Sequence, residues 1–170
     1  YLVEGYMDVI SLSDKGIGNA VASLGTAFTQ EQAKLLERYC DELILLCDGD
    51  DAGIEATKRA LEILGDFSFR VRVVNLPDGM DPDDYVQKFG KEKFEAYVEE
   101  HAKEAMEYRL LEVESRTDIH SLHGRKAYLE EVTELLSSIP QRAQQELYLQ
   151  FVSFRLGIST EGLEKDIRAA

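Results

Sequence analysis

An apolar run followed directly by aspartates restricts the fold of this chain more than any other feature. In "LILLCDGDDAG", Leu43 to Cys47 are apolar, and Asp48, Asp50 and Asp51 follow at once. A continuous apolar run of this length is typical of a strand that is buried on both faces of a sheet. Neighbouring like charges repel one another, and removing them from water is costly unless they are paired. The aspartates therefore lie in a solvated loop or surround a cation.

The first ninety residues alternate strand and helix patterns. Four segments, "YLVE", "NAVASL", "ELILLCD" and "FRVRVVNL", predict strands, and helical segments lie between them. One of these helices opens with Thr29 followed by Gln32, the spacing of a capping box. This alternation predicts an α/β fold with a parallel sheet flanked by helices.

Strand patterns stop after about residue 90. The segments "EKFEAYVEEHAKEAMEYRLLEVES" and "LHGRKAYLEEVTELLSSI" each predict one helix. The next segment is apolar nearly all round from Leu147 to Leu156, which predicts a helix at the centre of a small bundle. We therefore expect two domains, residues 1–90 and residues 91–170.

The composition limits the classes of function. The formal net charge of −14 excludes capture of nucleic acid by counterion release, so metal ions or a basic region elsewhere would have to mediate such contact. No apolar run approaches the length that crosses a bilayer, and we expect no membrane partner. Cys40 and Cys47 form no CxxC motif and are expected to be reduced thiols. The opening "YLVEG" lacks Met, and we expect a fragment of a longer protein.

Carboxylates follow three of the four predicted strands. Glu4 closes the first, with Asp8 one helical turn later, and Asp48 and Asp50 follow the third. Ligands of parallel sheets bind at the carboxyl ends of strands, so Glu4, Asp48 and Asp50 converge if the first and third strands are neighbours. Oxygen ligands without imidazole or thiolate indicate Mg²⁺ or Mn²⁺. The fourth strand leads into a further acidic group, Asp78, Asp81, Asp83 and Asp84.

Aspartates in these positions are also consistent with simpler structures. An aspartate after a strand is often a helix N-cap, and "DGD" alone is as consistent with a turn as with a metal site. An EF-hand is excluded because Ala52 and Arg59 stand where oxygen ligands are needed. The metal site is favoured because Glu4 and the second acidic loop accompany the aspartates.

Four motifs together resemble one family. The segments "VEGYMDVISL", "NAVASLGTAFT", "LLCDGDDAGIEATKRALE" and "LPDGMDPDDYV" closely resemble the Toprim domain of DnaG-type bacterial DNA primases. The segment "ELYLQFVSFRLGIS" resembles the helical subdomain that follows Toprim in these enzymes. Glu4, Asp48 and Asp50 match the glutamate and the DxD that Toprim proteins share. The expected fold is thus a Toprim-like parallel sheet flanked by helices and followed by a small helical bundle.

The resemblance implies a DNA primase, a nucleotidyltransferase that makes RNA primers on single-stranded DNA from NTPs. It implies catalytic roles for Glu4, Asp48 and Asp50 and Mg²⁺ or Mn²⁺ as the cofactor. Zinc is expected only in an N-terminal domain, and the replicative helicase only at a C-terminal domain, neither present here. The implied location is the bacterial cytoplasm, at the replisome. We expect this fragment to be inactive alone, because the basic template-gripping subdomain is missing.

Individual roles stay open at this point. Glu4 is a metal ligand or a proton acceptor, and Asp8, Asp81 and Asp83 are candidates for a second metal site, with a helix-surface role nearly as good for Asp8. Turn-forming roles are expected for Asp78 and Gly79, and a helix-start charge for Asp84.

Other side chains receive structural interpretations. Surface ion pairs are favoured over phosphate contacts for Lys58 and Arg59. A packing role is favoured for Tyr6, and surface or capping roles for the three histidines, His101, His120 and His123.

Two other classes of protein remain possible from the residues alone. One is a Toprim nuclease or topoisomerase module, in which the same carboxylates assist strand cleavage. The other is a non-catalytic interaction domain, in which the helical bundle docks a partner and the acidic edge binds no metal.

Overall fold

The chain forms two compact units, Tyr1–Ala105 and Met106–Ala170. The computed structural model describes residues 1–23, 27–47 and 51–169. The boundary between the units differs from the expected one near residue 90, because Phe94 and Val98 are buried in the core of the first unit. The end of the catalytic domain near residue 90 remains a prediction.

The first unit is built on a five-stranded sheet. Its order is β2-β1-β3-β4-β5; strands β1 to β4 run parallel to one another, whereas β5 is antiparallel to β4. The prediction of an α/β fold with a mainly parallel sheet is confirmed. The strands are β1 (Leu2–Val3), β2 (Val21–Ala22), β3 (Glu42–Cys47), β4 (Arg70–Asn75) and β5 (Lys103–Glu104).

Strand β5 was not predicted, and it interrupts a segment that the sequence pattern assigned to one helix. The backbone adopts an extended conformation at Ala102. Lys103 and Glu104 then pair with Val73 and Arg72 of β4. The Glu104 carboxylate also accepts a hydrogen bond from Arg70 Nε at 2.8 Å. Charged residues are common on exposed sheet edges because they hinder pairing with other chains. A two-residue polar strand carries no apolar alternation, so the pattern gave no sign of it.

The described residues of the first unit form five helices. Alternation along β3 turns Ile44 and Leu46 to one face, where they share a buried core with Leu12, Val86 and Phe94. The predicted capping box is confirmed at the second helix. Its Thr29 N donates to Gln32 Oε1 at 2.9 Å, and Gln32 N donates to Thr29 Oγ1 at 3.3 Å. The helices are α1 (Tyr6–Asp14), α2 (Gln30–Leu36), α3 (Asp51–Leu64), α4 (Pro82–Phe89) and α5 (Lys91–His101).

The second unit is a helical bundle, as predicted. Its core is formed by apolar residues at helical spacing, including Val132 and Leu136 on one helix and Leu149, Val152 and Leu156 on the next. The described helices are α6 (Ala105–Ser115), α7 (Leu122–Ser137), α8 (Arg142–Leu156) and α9 (Thr160–Ala169). No described helix of either unit is both long enough and apolar enough to cross a membrane.

Helix α8 is not enclosed on all sides, so the prediction of a central helix is wrong for one of its faces. The side chains of Leu147 and Phe154 are 66% and 89% exposed. In so small a bundle, a helix buries one face against its neighbours, and its opposite face meets solvent. An apolar composition all round therefore did not predict burial all round.

Candidate functional site

The pairing of β1 with β3 brings Glu4 to the edge of the sheet where β3 ends. Leu2 lies opposite Leu45, so continuing this parallel register puts Glu4 level with Cys47. The expectation that the first and third strands are neighbours is confirmed. Glu4 is exposed at this edge. The predicted ligands Asp48 and Asp50 follow Cys47 in sequence and lie outside the described residues.

The Asp8 carboxylate is buried, with 9% exposure, and it joins two parts of the acidic edge. Its Oδ2 accepts a hydrogen bond from Gly5 N at 3.1 Å, at the start of α1. Its Oδ1 accepts one from Asp83 N at 3.3 Å, at the start of α4. The structure thus brings Asp8 and Asp83 together, although they are 75 residues apart in sequence. Asp8 is therefore not the helix-surface residue that the sequence left open.

Asp81 is the N-cap of α4. Its Oδ1 accepts a hydrogen bond from Asp84 N at 2.7 Å, which satisfies a backbone donor at the helix start. Asp84 is exposed in the first turn, where a negative charge is favourable, as predicted. Asp78 and Gly79 have φ values of 57° and 67° in the 3₁₀ turn Pro77–Gly79, so the turn-forming roles predicted for them are confirmed.

The donor chemistry of the acidic edge suits a hard cation. Every candidate ligand, Glu4, Asp8, Asp48, Asp50, Asp81 and Asp83, offers carboxylate oxygen. Across residues 1–23, 27–47 and 51–169, no three His, Cys, Asp or Glu side chains are close enough to hold a metal ion between them. The described part of this edge alone is thus not a complete metal site.

A cavity of about 340 Å³ opens beside Glu4. On its helical wall, Ala52, Ala56 and Ala60 recur at intervals of four residues on one face of α3, where their small side chains leave space. This cavity was not predicted from the sequence, although that spacing is visible in "DAGIEATKRA". The other lining residues are Leu2, Val3, Glu4, Ser23, Ala27, Phe28, Leu45, Leu46, Thr57 and Arg59.

Two adjacent basic residues of α3 have different surroundings. Lys58 Nζ lies 3.2 Å from Glu55 Oε1, so the predicted surface ion pair is confirmed for Lys58. Arg59 is exposed and lines the cavity, and it pairs with no carboxylate among the described side chains. The expected ion pair of Arg59 is therefore not found in that part of the chain.

The remaining predictions have mixed outcomes. Tyr6 is 62% exposed, so its predicted packing role is wrong: α1 buries Asp8, Ser11 and Leu12, and Tyr6 lies away from that face. His101 stacks on Tyr97, with its Nδ1 2.9 Å from the Tyr97 carbonyl oxygen. His120 and His123 are exposed, as predicted. The Cys40 thiol is free, and burial raises its pKa.

Two family profiles match the chain. The first, described as Toprim-like, matches residues 1–86. The second, described as the DnaB-helicase binding domain of primase, matches residues 106–161.

Several similar proteins with curated names are DNA primases. The chain is 37% identical to the DNA primase of Clostridium acetobutylicum over 95% of its own length and 27% of that protein. It is also 37% identical to the DNA primase of Haemophilus influenzae over 92% of its length and 27% of that protein. The chain thus spans about a quarter of the length of the curated relatives it matches.

Solved structures of primases are also similar to this chain. A DNA primase domain from Pseudomonas aeruginosa matches 98% of this chain with a TM-score of 0.79 and 36% identity, over 53% of its own length. A DnaG primase catalytic domain bound to single-stranded DNA matches 95% of this chain with a TM-score of 0.78 and 37% identity, over 52% of its own length.

Proposed function

Because the chain belongs to the Toprim-like family and is similar over nearly its whole length to the catalytic core of DnaG-type primases, we propose that it forms part of a bacterial DNA primase. In this role it contributes to the synthesis of RNA primers from NTPs on a single-stranded DNA template. The observation that carries the proposal is the pairing of β1 with β3, which puts Glu4 at the sheet edge where β3 ends.

We propose Glu4, Asp48 and Asp50 as the catalytic carboxylates and as ligands of Mg²⁺ or Mn²⁺. When bound, such an ion supplies Lewis-acid activation of the primer 3′-hydroxyl and offsets charge on the phosphates. Glu4 acts as a ligand or as the acceptor of the hydroxyl proton. Its exposure at the strand end leaves its carboxylate accessible for either role.

Asp8, Asp81 and Asp83 are proposed to complete a second ion site. The contacts of Asp8 support this, because its carboxylate holds the start of α1 against the start of α4. A carboxylate oxygen that accepts one N–H bond retains a lone pair for a cation. Asp81 caps α4 through Oδ1 in the same way. These residues would thus position two loops and bind an ion with the same oxygens.

The proposed partners are single-stranded DNA, NTPs, the RNA primer and the replicative helicase, in the bacterial cytoplasm at the replisome. We expected the helicase contact in a C-terminal domain outside this chain. The profile matched by residues 106–161 makes the second unit another candidate. Binding of helicase by residues 1–170 would favour the second unit. Zinc is proposed to bind outside this chain; the Aquifex aeolicus primase structure contains a zinc-binding domain beside its RNA polymerase domain.

A Mn²⁺ titration followed by water-proton relaxation tests the carboxylate assignments. We expect Asp48→Asn, Asp50→Asn and Glu4→Gln each to weaken Mn²⁺ binding by about tenfold or more, since each removes a charged ligand. Asp41→Asn is the matched control, because Asp41 precedes β3 at the opposite edge of the sheet and is exposed. Equal binding by all four variants, with folds intact by circular dichroism, would contradict the assignments.

Primer synthesis by the isolated chain is expected to be undetectable. A net charge of −14 gives this chain no electrostatic grip on a DNA template. Template-dependent primer synthesis by residues 1–170 would contradict this expectation. Metal-dependent nicking of DNA would instead support the nuclease alternative.

A further inference from the structure

The cavity beside Glu4 combines apolar walls with few polar groups. Its walls include buried Val3 and Leu45 of the sheet, together with the alanines of α3. The Thr57 hydroxyl donates to Gly53 O at 2.8 Å. Apolar clefts of a few hundred cubic ångströms with a small number of polar groups are typical binding sites for small ligands.

Arg59 is the one basic side chain among the described residues that line this cavity. Side chains on a helix lean toward its N-terminus, so Arg59 leans back along α3 toward the sheet edge that carries Glu4. Lys58, the adjacent basic residue, pairs with Glu55. A guanidinium with no carboxylate partner among the described side chains is suited to bind a phosphate, because its forked N–H donors match the phosphate oxygens.

We propose that Arg59 is a substrate-positioning residue that binds a phosphate group of the nucleic-acid substrate in this cavity. The inference rests on the proposed function, which requires phosphates beside the acidic edge. The phosphate belongs either to the incoming nucleotide or to the nucleic-acid strand, since both offer the same oxygens to a guanidinium.

Calorimetric titration of residues 1–170 at low salt tests this proposal with two ligands, ATP in the presence of Mn²⁺ and a single-stranded DNA oligonucleotide. We expect Arg59→Gln to weaken binding of at least one ligand about tenfold, as for the loss of one charge-assisted hydrogen bond. Arg59→Lys should recover part of that loss. Lys58→Gln is the matched control and should bind like the parent chain.

The two ligands identify the source of the phosphate. Weakening for ATP alone assigns it to the nucleotide, and weakening for the oligonucleotide alone assigns it to the strand. Binding of both ligands to Arg59→Gln as tightly as to the parent would overturn the role of Arg59. A parent chain that binds Mn²⁺ but neither ligand would also overturn it, leaving the proposed metal site intact. A parent chain that binds neither ligand and no Mn²⁺ would refute the proposed function itself.

Discussion

Replacing Tyr128 by Phe is expected to stabilise the protein. Tyr128 lies on α7 in the core of the second unit with 0% exposure, and its hydroxyl has no hydrogen-bond partner among the described residues. Burying an unpaired hydroxyl costs about 1–3 kcal/mol. The variant keeps the ring and its packing but removes that cost. We therefore expect the free energy of unfolding at pH 7 to rise by about 1 kcal/mol.

The same hydroxyl makes stability depend on pH in the alkaline range. Burial, with a smaller contribution from Glu114, raises the pKa of Tyr128 from 10.0 to about 12. The folded chain therefore keeps this proton at a pH where the unfolded chain loses it. Its contribution is fully present below pH 10 and is lost as the pH rises toward 12. At about 1.36 kcal/mol per pKa unit, the loss is about 2–3 kcal/mol.

Urea titrations at pH 7 and pH 11, followed by far-ultraviolet circular dichroism, measure both effects. The parent should lose more stability than Tyr128→Phe between the two pH values. Tyr39→Phe is the control, because Tyr39 is 78% exposed and its replacement should change neither quantity. A Phe variant less stable than the parent at pH 7 would refute the reasoning. In that case, coupling between Tyr128→Phe and Ser153→Ala in a double-mutant cycle would show that the two buried hydroxyls share a hydrogen-bond partner.

Three further predictions concern stability and are measured by the same urea titrations. Gly124→Ala should destabilise by about 1–3 kcal/mol, because a Cβ there would lie 2.0 Å from Asp118 O; an unchanged midpoint would contradict this. Glu42→Gln should cost about 2 kcal/mol, since it removes the charge and one of the two acceptor oxygens to which Arg72 Nε and Nη2 donate at 2.8 and 3.1 Å; a loss below about 0.5 kcal/mol would show that Arg72 finds other partners. Thr29→Ala should cost about 1 kcal/mol through loss of the α2 cap, whereas Thr29→Ser should retain most of the stability.

Much of the sheet was predictable because its signals are local. The apolar run Leu43–Cys47 and the Thr29–Gln32 capping box each depend on a few consecutive residues, and both predictions were confirmed. The position of Glu4 was predictable because the ends of parallel strands share one edge of a sheet. That prediction assumed that β1 and β3 are neighbours, and the structure confirms the assumption.

The parts that were missed depend on contacts distant in sequence. Strand β5 forms because Lys103 and Glu104 pair with β4, and nothing in the two-residue sequence "KE" indicates a strand. The burial of Asp8 depends on Asp83, so its own helix did not indicate it. The outward face of α8 was missed because an apolar residue such as Phe154 looks the same in sequence whether a neighbour covers it or not.

The contact between Asp8 and Asp83 also has a consequence for the order of folding. It closes a loop of 75 residues, whereas the helices of the same unit form through contacts a few residues apart. Contacts between distant residues form late, because the entropy of closing the intervening chain must be overcome first. In a refolding experiment, helical signal should therefore recover before this part of the acidic edge is assembled. The proposed second ion site, which includes both residues, should therefore form late in folding.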